Sequence, residues 1–209
     1  MKYAFIYFLM LFAAFGASAR DAGSFFTDAG ADAAFSELTQ LNRMDMMDYF
    51  RAGQVRDITN YYDGSARMVR ADSAVVTVQT ARGCVVDLYV IVDRKDTTLM
   101  VVETLNLPQK DSRVKFYSTD WQPIAMTVLP IYTLSDWLTE AGRKSRAEVE
   151  RRIPFVLAVA SFNSETGVLC LTNTLEGYFP DEDDKAFVAE MVRKSLLFRW
   201  NKGKFKLQK

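Results

Sequence analysis

The sequence predicts an α+β protein: an antiparallel β-meander of about five strands packed with N-terminal helices, followed by a β-hairpin, a helix and a C-terminal two-stranded edge. Two observations predict this class. Apolar residues recur at helical spacing in residues 33–53, whereas from residue 66 they alternate with polar residues in short runs. The helical and strand-rich parts follow one another instead of alternating element by element, which favours α+β over α/β.

The first nineteen residues have the pattern of a signal peptide. Lys2 supplies a positive charge, residues 3–15 are apolar, and Ala17-Ser18-Ala19 fits the small-x-small rule for cleavage after Ala19. The apolar run is shorter than the roughly 20 residues that a spanning helix needs, which favours a cleaved signal peptide over an uncleaved membrane anchor. No later segment is apolar enough to span a bilayer, so we expect no membrane span after cleavage. The mature chain, residues 20–209, is then expected in the periplasm or outside the cell.

The predicted N-terminal helix covers residues 33–53. Its apolar face recurs at three-residue steps, at Phe35, Leu38 and Leu41. Asn42 is expected to cap a second helical piece, and Gly53 is a natural stop. Residues 20–31, which are small and polar apart from two phenylalanines, are expected to be partly disordered.

Five runs with a period of two predict the meander: 66–70, 73–81, 84–92, 97–105 and 113–119. The connections between them are short and rich in turn-forming residues, so neighbouring strands must be antiparallel. Residues 84–92 and 97–105 are almost entirely apolar. They are therefore expected to be central strands with both faces covered.

The second half of the chain begins after a crossing region. We predict a single domain over residues 20–209, with two possible halves, 32–122 and 153–209, joined by 123–152. Within 123–152, residues 135–142 and 145–152 are expected to be short helices. The predicted elements that follow are a hairpin of 153–162 with 167–179, a helix over 180–196, and two strands at 196–200 and 204–209.

The composition excludes several kinds of chemistry. The chain has no histidine, which excludes Ser-His-Asp and Cys-His catalysis and His-ligated zinc. Its 26 basic and 26 acidic residues balance, so the overall charge predicts no nucleic-acid partner. Lys204 and Lys206 alternate with Phe205 and Leu207, a pattern typical of an edge strand protected by charge.

No metal or cofactor site is expected. The acidic run at residues 180–184 lacks the alternate spacing and central glycine of a calcium loop and fits a helix N-terminus instead. The sequence contains no Walker, dinucleotide-binding or nucleophile-elbow motif.

The two cysteines, Cys84 and Cys170, leave two alternatives open. An exported protein with two cysteines can join them in a disulfide. Both lie in apolar, strand-like runs, however, and a free cysteine packs as a small apolar side chain. We favour two separate thiols.

The segment "FYSTDWQPI" at 116–124 contains the candidate binding residues. In one interpretation Tyr117, Asp120, Trp121 and Gln122 form a rim where aromatic, acidic and amide groups hold a sugar or a peptide. In the other, which we favour, the segment is a strand and its turn. Trp121 then packs under the sheet and Asp120 shapes the turn.

Four segments carry a resemblance to a known family: "LTQLNRMDMMDYF" (38–50), "VKFYSTDWQPI" (114–124), "IPFVLAVASF" (153–162) and "LLFRWNKGKF" (196–205). Together they resemble a domain-of-unknown-function family of exported Bacteroidales proteins. The resemblance implies a periplasmic or cell-surface location in a Gram-negative cell, and it supplies no catalytic residues.

These observations favour a non-enzymatic binding or interaction module of the cell envelope, with an envelope protein or glycan as its partner. The excess of aromatic residues is typical of both kinds of interface. One alternative is a carboxylate-dependent glycan or peptidoglycan hydrolase, which would need two acids about 5–10 Å apart across a cleft. Another is an assembly subunit that adds its edge strand, residues 203–208, to a partner sheet.

Overall fold

The computed structural model describes residues 20–30, 35–94, 96–106, 108–125 and 133–208; the predicted signal peptide, residues 1–19, lies outside these ranges. The helices are α1 (Ala22–Thr27), α2 (Gln40–Arg51), α3 (Leu134–Trp137), α4 (Glu140–Lys144), α5 (Arg146–Arg152) and α6 (Glu182–Met191). The strands are β1 (Ile58–Thr59), β2 (Ser65–Ala71), β3 (Val75–Ala81), β4 (Cys84–Asp93), β5 (Asp96–Leu105), β6 (Asp111–Tyr117), β7 (Ala158–Asn163), β8 (Val168–Asn173), β9 (Ser195–Trp200) and β10 (Phe205–Leu207).

Strands β1 to β6 form an antiparallel sheet in chain order, here called sheet 1. The predicted meander is confirmed, and the two-residue strand β1 adds a sixth member ahead of the five predicted. β4 and β5 pair along their whole length, from Cys84 opposite Leu105 to Asp93 opposite Asp96. Arg94 adopts the left-handed backbone conformation (φ 59°) that their tight turn requires.

Helices α1 and α2 cover one face of sheet 1 and enclose the first core. This core buries Phe25 and Phe26 of α1, Met46 and Met47 of α2, and the sheet residues Val76, Val78, Val86, Leu88, Leu99 and Val101. Apolar side chains of β3, β4 and β5 point to this face at every second position. The side chains between them point to the opposite face and need a separate cover.

The expectation of disorder in residues 20–31 is wrong for 22–27, which form α1. The carboxylate of Asp21 accepts hydrogen bonds from the backbone N–H and the hydroxyl of Ser24, at 2.8 Å and 2.6 Å. Phe25 and Phe26 are both buried. Burial of two aromatic rings stabilises a helix too short to persist alone.

Helix α2 begins later than predicted, at Gln40, because Thr39 caps it. The Thr39 hydroxyl accepts from the Asn42 N–H, and the Asn42 side chain accepts from the Thr39 N–H, each at 3.1 Å. Asn42 is therefore the third helical residue of a capping box, not the cap that the sequence predicted. The helix ends before Gly53, which has a positive φ as expected.

Strands β7 to β10 form a second antiparallel sheet, sheet 2, in the order β10-β9-β8-β7. The predicted hairpin and the predicted two-stranded edge are thus parts of one sheet, because β8 pairs directly with β9 across the helical excursion between them. The predicted helix over 135–142 is interrupted at Leu138, which forms an isolated bridge with Val192. α3 and α4 lie on either side of that bridge.

The two sheets share the second core. The face of sheet 1 turned away from α1 and α2 packs against one face of sheet 2 and against residues of the helices between 134 and 192. Aromatic rings meet edge to face at the centre of this contact, with centroids of Tyr89 and Phe162 at 5.4 Å and those of Phe162 and Phe205 at 5.8 Å. The possible halves 32–122 and 153–209 therefore bury part of their apolar surface against each other.

Side chains of β6 also close the free edge of β7. The carboxylate of Asp111 accepts from the Ala158 N–H at 3.1 Å, and the hydroxyl of Ser112 accepts from the Ala160 N–H at 3.0 Å. Thr104 lies 2.8 Å from the Ser112 hydroxyl. These bonds satisfy outward N–H groups that an edge strand would otherwise offer to another chain.

Candidate functional site

Sheet 2 has one covered face and one open face. Buried residues alternate along β8 and β9 with residues that are half-buried or exposed. The open-face positions are Val159, Ser161, Asn163, Val168, Cys170, Thr172, Ser195, Leu197, Arg199 and Lys206. None of these ten side chains is buried and none is acidic, so the open face is mostly neutral and carries two positive charges.

The two charges stand side by side at one end of a row that crosses all four strands. In the row, Asn163 on β7 lies opposite Val168 on β8, Val168 opposite Arg199 on β9, and Arg199 opposite Lys206 on β10. Side chains directly opposite in an antiparallel pair are about 5 Å apart at Cβ. The register therefore places the Arg199 and Lys206 side chains next to each other in solvent.

A cleft of about 790 Å³ opens beside this row, between sheet 2 and the turn that joins β2 to β3. From sheet 2 it is lined by Ser161, Phe162, Asn163, Ser164, Glu165, Thr166, Val168, Cys170 and Arg199; from sheet 1 by Arg70, Asp72, Ala74 and Tyr89. The volume lies in the range of small-molecule sites. Hydroxyl, amide and charged groups line it together with the rings of Phe162 and Tyr89.

The sheet 1 wall of the cleft is a fixed structural unit. The Asp72 carboxylate accepts from the Ala74 and Val75 N–H groups at 2.8 and 2.9 Å and from the Arg70 guanidinium at 2.7 Å. Burial acts to raise the pKa of Asp72, but these hydrogen bonds outweigh it and hold the pKa below its ordinary value. Arg70 and Asp72 thus neutralise each other and shape the turn.

Tyr89 closes the base of the cleft where sheet 1 meets Phe162. Burial, helped by the negative charge of Asp87, raises the pKa of the Tyr89 phenol to about 12. The phenol therefore stays protonated across the physiological range. It presents a neutral group to the cleft and cannot serve as a base there.

The sheet 2 wall has groups that remain available. Within the described part of the chain, the side chains of Ser161, Ser164, Thr166, Glu165 and Arg199 have no hydrogen-bond or ion-pair partner. Such convergent and unengaged polar groups are what fixes the orientation of a bound ligand. The arrangement suits binding of a polar molecule.

The hydrolase hypothesis needs two carboxylates that face each other across a cleft. The described lining of this cleft contains two, Asp72 and Glu165. Asp72 is already held by the turn and by Arg70, which leaves Glu165 without a second free acid here. The hydrolase remains a hypothesis with no carboxylate pair in this cleft to support it.

The predicted rim residues lie elsewhere, at the end of β6. Tyr117 is buried (6% exposed), and the Trp121 ring packs 5.3 Å from it and 6.3 Å from Phe35 of the first core. Asp120 and Gln122 are exposed. The structure thus brings the two aromatic rings together under the sheet and leaves only the acid and the amide on the surface, and the predicted ligand role of these four residues stays a prediction.

The two cysteines lie on different sheets and are both free. Cys84 begins β4 and packs against the first core. Cys170 is on the open face of sheet 2, with its Sγ 3.6 Å from the Thr172 hydroxyl.

Sequence reasoning missed Arg199 and the cleft. The signal for Arg199 was present in the alternation along β9. Leu196 and Phe198 alternate with Leu197 and Arg199, which predicts that Arg199 lies on a solvent-exposed face. The cleft had no local signal, since its walls come from residues 70–74 and 161–170, which only the packing of the two sheets brings together.

Two general findings concern the described residues alone. No group of three or more acidic or cysteine side chains lies close enough to hold a metal ion. No helix among them is long and apolar enough to cross a membrane.

Comparison with known proteins places the fold in context. The family described as "Protein of unknown function (DUF3256)" matches residues 14–205. The chain is also similar to the structure described as "Structure of a domain of an uncharacterized protein from Porphyromonas gingivalis W83", with a TM-score of 0.73 and 20% sequence identity, over 89% of this chain and 96% of that one. At this identity the likeness shows the fold alone. No curated protein matches the chain.

Proposed function

We propose that this chain, which belongs to the DUF3256 family of proteins of unknown function, is a non-enzymatic binding module of the cell envelope. Its ligand site is the open face of sheet 2 together with the cleft beside it. The observation that carries the proposal is the contrast between the two cleft walls. One wall is internally neutralised, whereas the other presents five polar side chains without partners among the described residues.

The location is part of the same proposal. Residues 1–19 have the charge, apolar run and small-residue site of a signal peptide, which predicts export and cleavage after Ala19. Fractionation of cells with periplasmic and cytoplasmic markers, followed by N-terminal sequencing, tests this. A mature protein that begins at Arg20 outside the cytoplasm is the expected result, and an uncleaved cytoplasmic chain would contradict it.

The binding site is tested by cross-linking in intact cells and capture through a C-terminal tag. Ser161 is exposed in the cleft wall, so Ser161→Trp would place a bulky ring in the cleft without disturbing the core. The matched control is Ser36→Trp, an exposed position at the helix layer on the other side of sheet 1. We expect one envelope component to be captured by the natural chain and the control and lost with Ser161→Trp.

Equal capture by all three proteins would place the contact elsewhere and overturn the assignment of the site. Thermal unfolding of each variant is measured in parallel. A loss of capture counts only where the melting transition is unchanged.

A further inference from the structure

The C-terminal part of the chain is strongly basic. Residues 191–209 contain Arg193, Lys194, Arg199, Lys202, Lys204, Lys206 and Lys209 and no acidic residue, in a chain whose total formal charge is zero. Lys194 pairs with Glu176, and the Arg193 guanidinium donates to the Leu138 carbonyl. Among the described residues, the open-face cations Arg199 and Lys206 make no comparable contact.

Arg199 and Lys206 form an unfavourable pair of like charges on the protein surface. They lie directly opposite each other on β9 and β10, where like charges destabilise a sheet. Neither has an ion-pair partner among the residues that the structure describes. Protection of an edge strand explains Lys206 but not Arg199, which lies one strand in from the edge.

Polar side chains elsewhere on the open face suit sugar hydroxyls. Ser161, Asn163, Thr172 and Ser195 present hydroxyl and amide groups on the same face, and none of the ten open-face positions is acidic. A guanidinium binds a carboxylate or a sulfate through two parallel hydrogen bonds, and an adjacent ammonium adds a second positive charge. Glu165, at the tip of the β7–β8 hairpin, is the acid that would oppose such a ligand.

We infer that the ligand of this face is an acidic glycan, with Arg199 and Lys206 binding its anionic groups and the hydroxyl-lined part of the face binding its sugar hydroxyls. This inference rests on the proposed function and narrows its ligand to one chemical class.

Titration calorimetry with the mature chain tests the inference, using carboxymethyl-dextran, dextran sulfate and neutral dextran of matched length. We expect the anionic polymers to bind and neutral dextran to bind at least about tenfold more weakly. The double variant Arg199→Ala/Lys206→Ala should weaken anionic binding by about tenfold or more. Raising the salt from about 50 mM to about 500 mM should weaken binding in the natural chain, since the contacts are solvent-exposed and screened.

The matched control is Arg82→Ala/Arg113→Ala, which removes two exposed positive charges from sheet 1. It should bind like the natural chain. Glu165→Gln should strengthen anionic binding by about two- to fivefold, because it removes a like charge at the rim.

Three results would overturn the inference: equal binding of neutral dextran, unchanged anionic binding in the Arg199/Lys206 variant, or binding of poly-glutamate with both anionic dextrans inert. The proposed function is judged separately by capture with Ser161→Trp. If that variant loses its envelope partner while the charge variants keep it, the binding site stands and only the acidic-glycan inference fails.

Discussion

Sheet 1 and sheet 2 are both antiparallel and share the second core, but they are covered differently. The central strands of sheet 1 bury four consecutive residues each, Leu88–Ile91 in β4 and Leu99–Val102 in β5. β8 and β9 of sheet 2 bury only every second residue. Sheet 1 therefore has a layer on both faces, whereas sheet 2 has one face in solvent.

This difference assigns a structural role to sheet 1 and leaves the open face of sheet 2 available for binding. A sheet buried on both faces can change little without loss of stability, because each side chain fills space in a close-packed core. The open face of sheet 2 is free of that constraint, and its polar and charged side chains can be selected for a ligand. The predictions below test this division, starting with the largest effect.

Two leucine truncations compare the sheets directly. Leu88 on β4 is 0% exposed and Leu197 on β9 is 41% exposed. We expect Leu88→Ala to lower the free energy of unfolding by about 2–5 kcal/mol, and Leu197→Ala to change it by no more than about 0.5 kcal/mol. Urea denaturation measures both. Similar losses in the two variants would show that sheet 2 is covered on both faces in solution.

The junction between the sheets is tested by Ser112→Ala. Ser112 is buried, and its loss would leave the Ala160 N–H and the Thr104 hydroxyl without this partner. We expect a loss of about 1–3 kcal/mol in unfolding free energy. Ser195→Ala, on the open face, is the control and should be neutral. A neutral Ser112→Ala would mean that the Ser112 hydrogen bonds do not stabilise the junction between the sheets.

The pH dependence of stability tests Asp87, a half-buried acid on β4. Burial raises the pKa of Asp87, and the hydrogen bond from Thr77 (2.6 Å) opposes this only in part. A folded pKa above the unfolded value of about 4 gives stability that is complete below that value and is lost as pH rises through the folded pKa. Asp87→Asn removes this loss, so the free energy of unfolding of the variant relative to that of the natural chain should increase as the pH rises above about 4. A pH-independent difference in urea denaturation would contradict the assignment.

The smallest expected effect is a difference between the labelling rates of the two thiols, which involves no change in stability. Burial raises the pKa of Cys84, whose thiolate is the reactive form, whereas Cys170 lies on the open face. We expect two thiols to react without prior reduction, with Cys170 about three- to tenfold faster than Cys84. Cys170→Ala and Cys84→Ala assign the two phases. A disulfide, the alternative that the cysteine count left open, would show no free thiol before reduction.

Much of the fold follows from local patterns. Strict alternation predicts β2, β3 and β6, and the apolar runs of β4 and β5 predict strands covered on both faces. The helix at 22–27 was missed because six residues are too few to show a helical period, and burial of Phe25 and Phe26 stabilises it. The start of α2 was placed too early because Phe35 and Leu38 have helical spacing, but both precede Thr39, which caps the helix.

The candidate site was much less predictable than the fold. The aromatic segment at 116–124 attracted attention because tyrosine and tryptophan are common in binding sites, yet the same rings serve a core equally well. Arg199 was recoverable from the alternation of β9. Its pairing with Lys206 depends on the β9–β10 register, and the cleft depends on two loops about ninety residues apart in the chain.

The sequence by itself determined the five-stranded meander and the double cover of β4 and β5, and its lack of histidine excluded catalysis that depends on that residue. These properties depend on residue type and on spacing along the chain. Only the tertiary structure decided that β8 pairs with β9, that both sheets share one core, and which face stays open. Those outcomes depend on which apolar surfaces meet across long sequence separations. The local pattern shows which residues are apolar, but burial is a non-directional driving force and the pattern does not identify the surface that covers them.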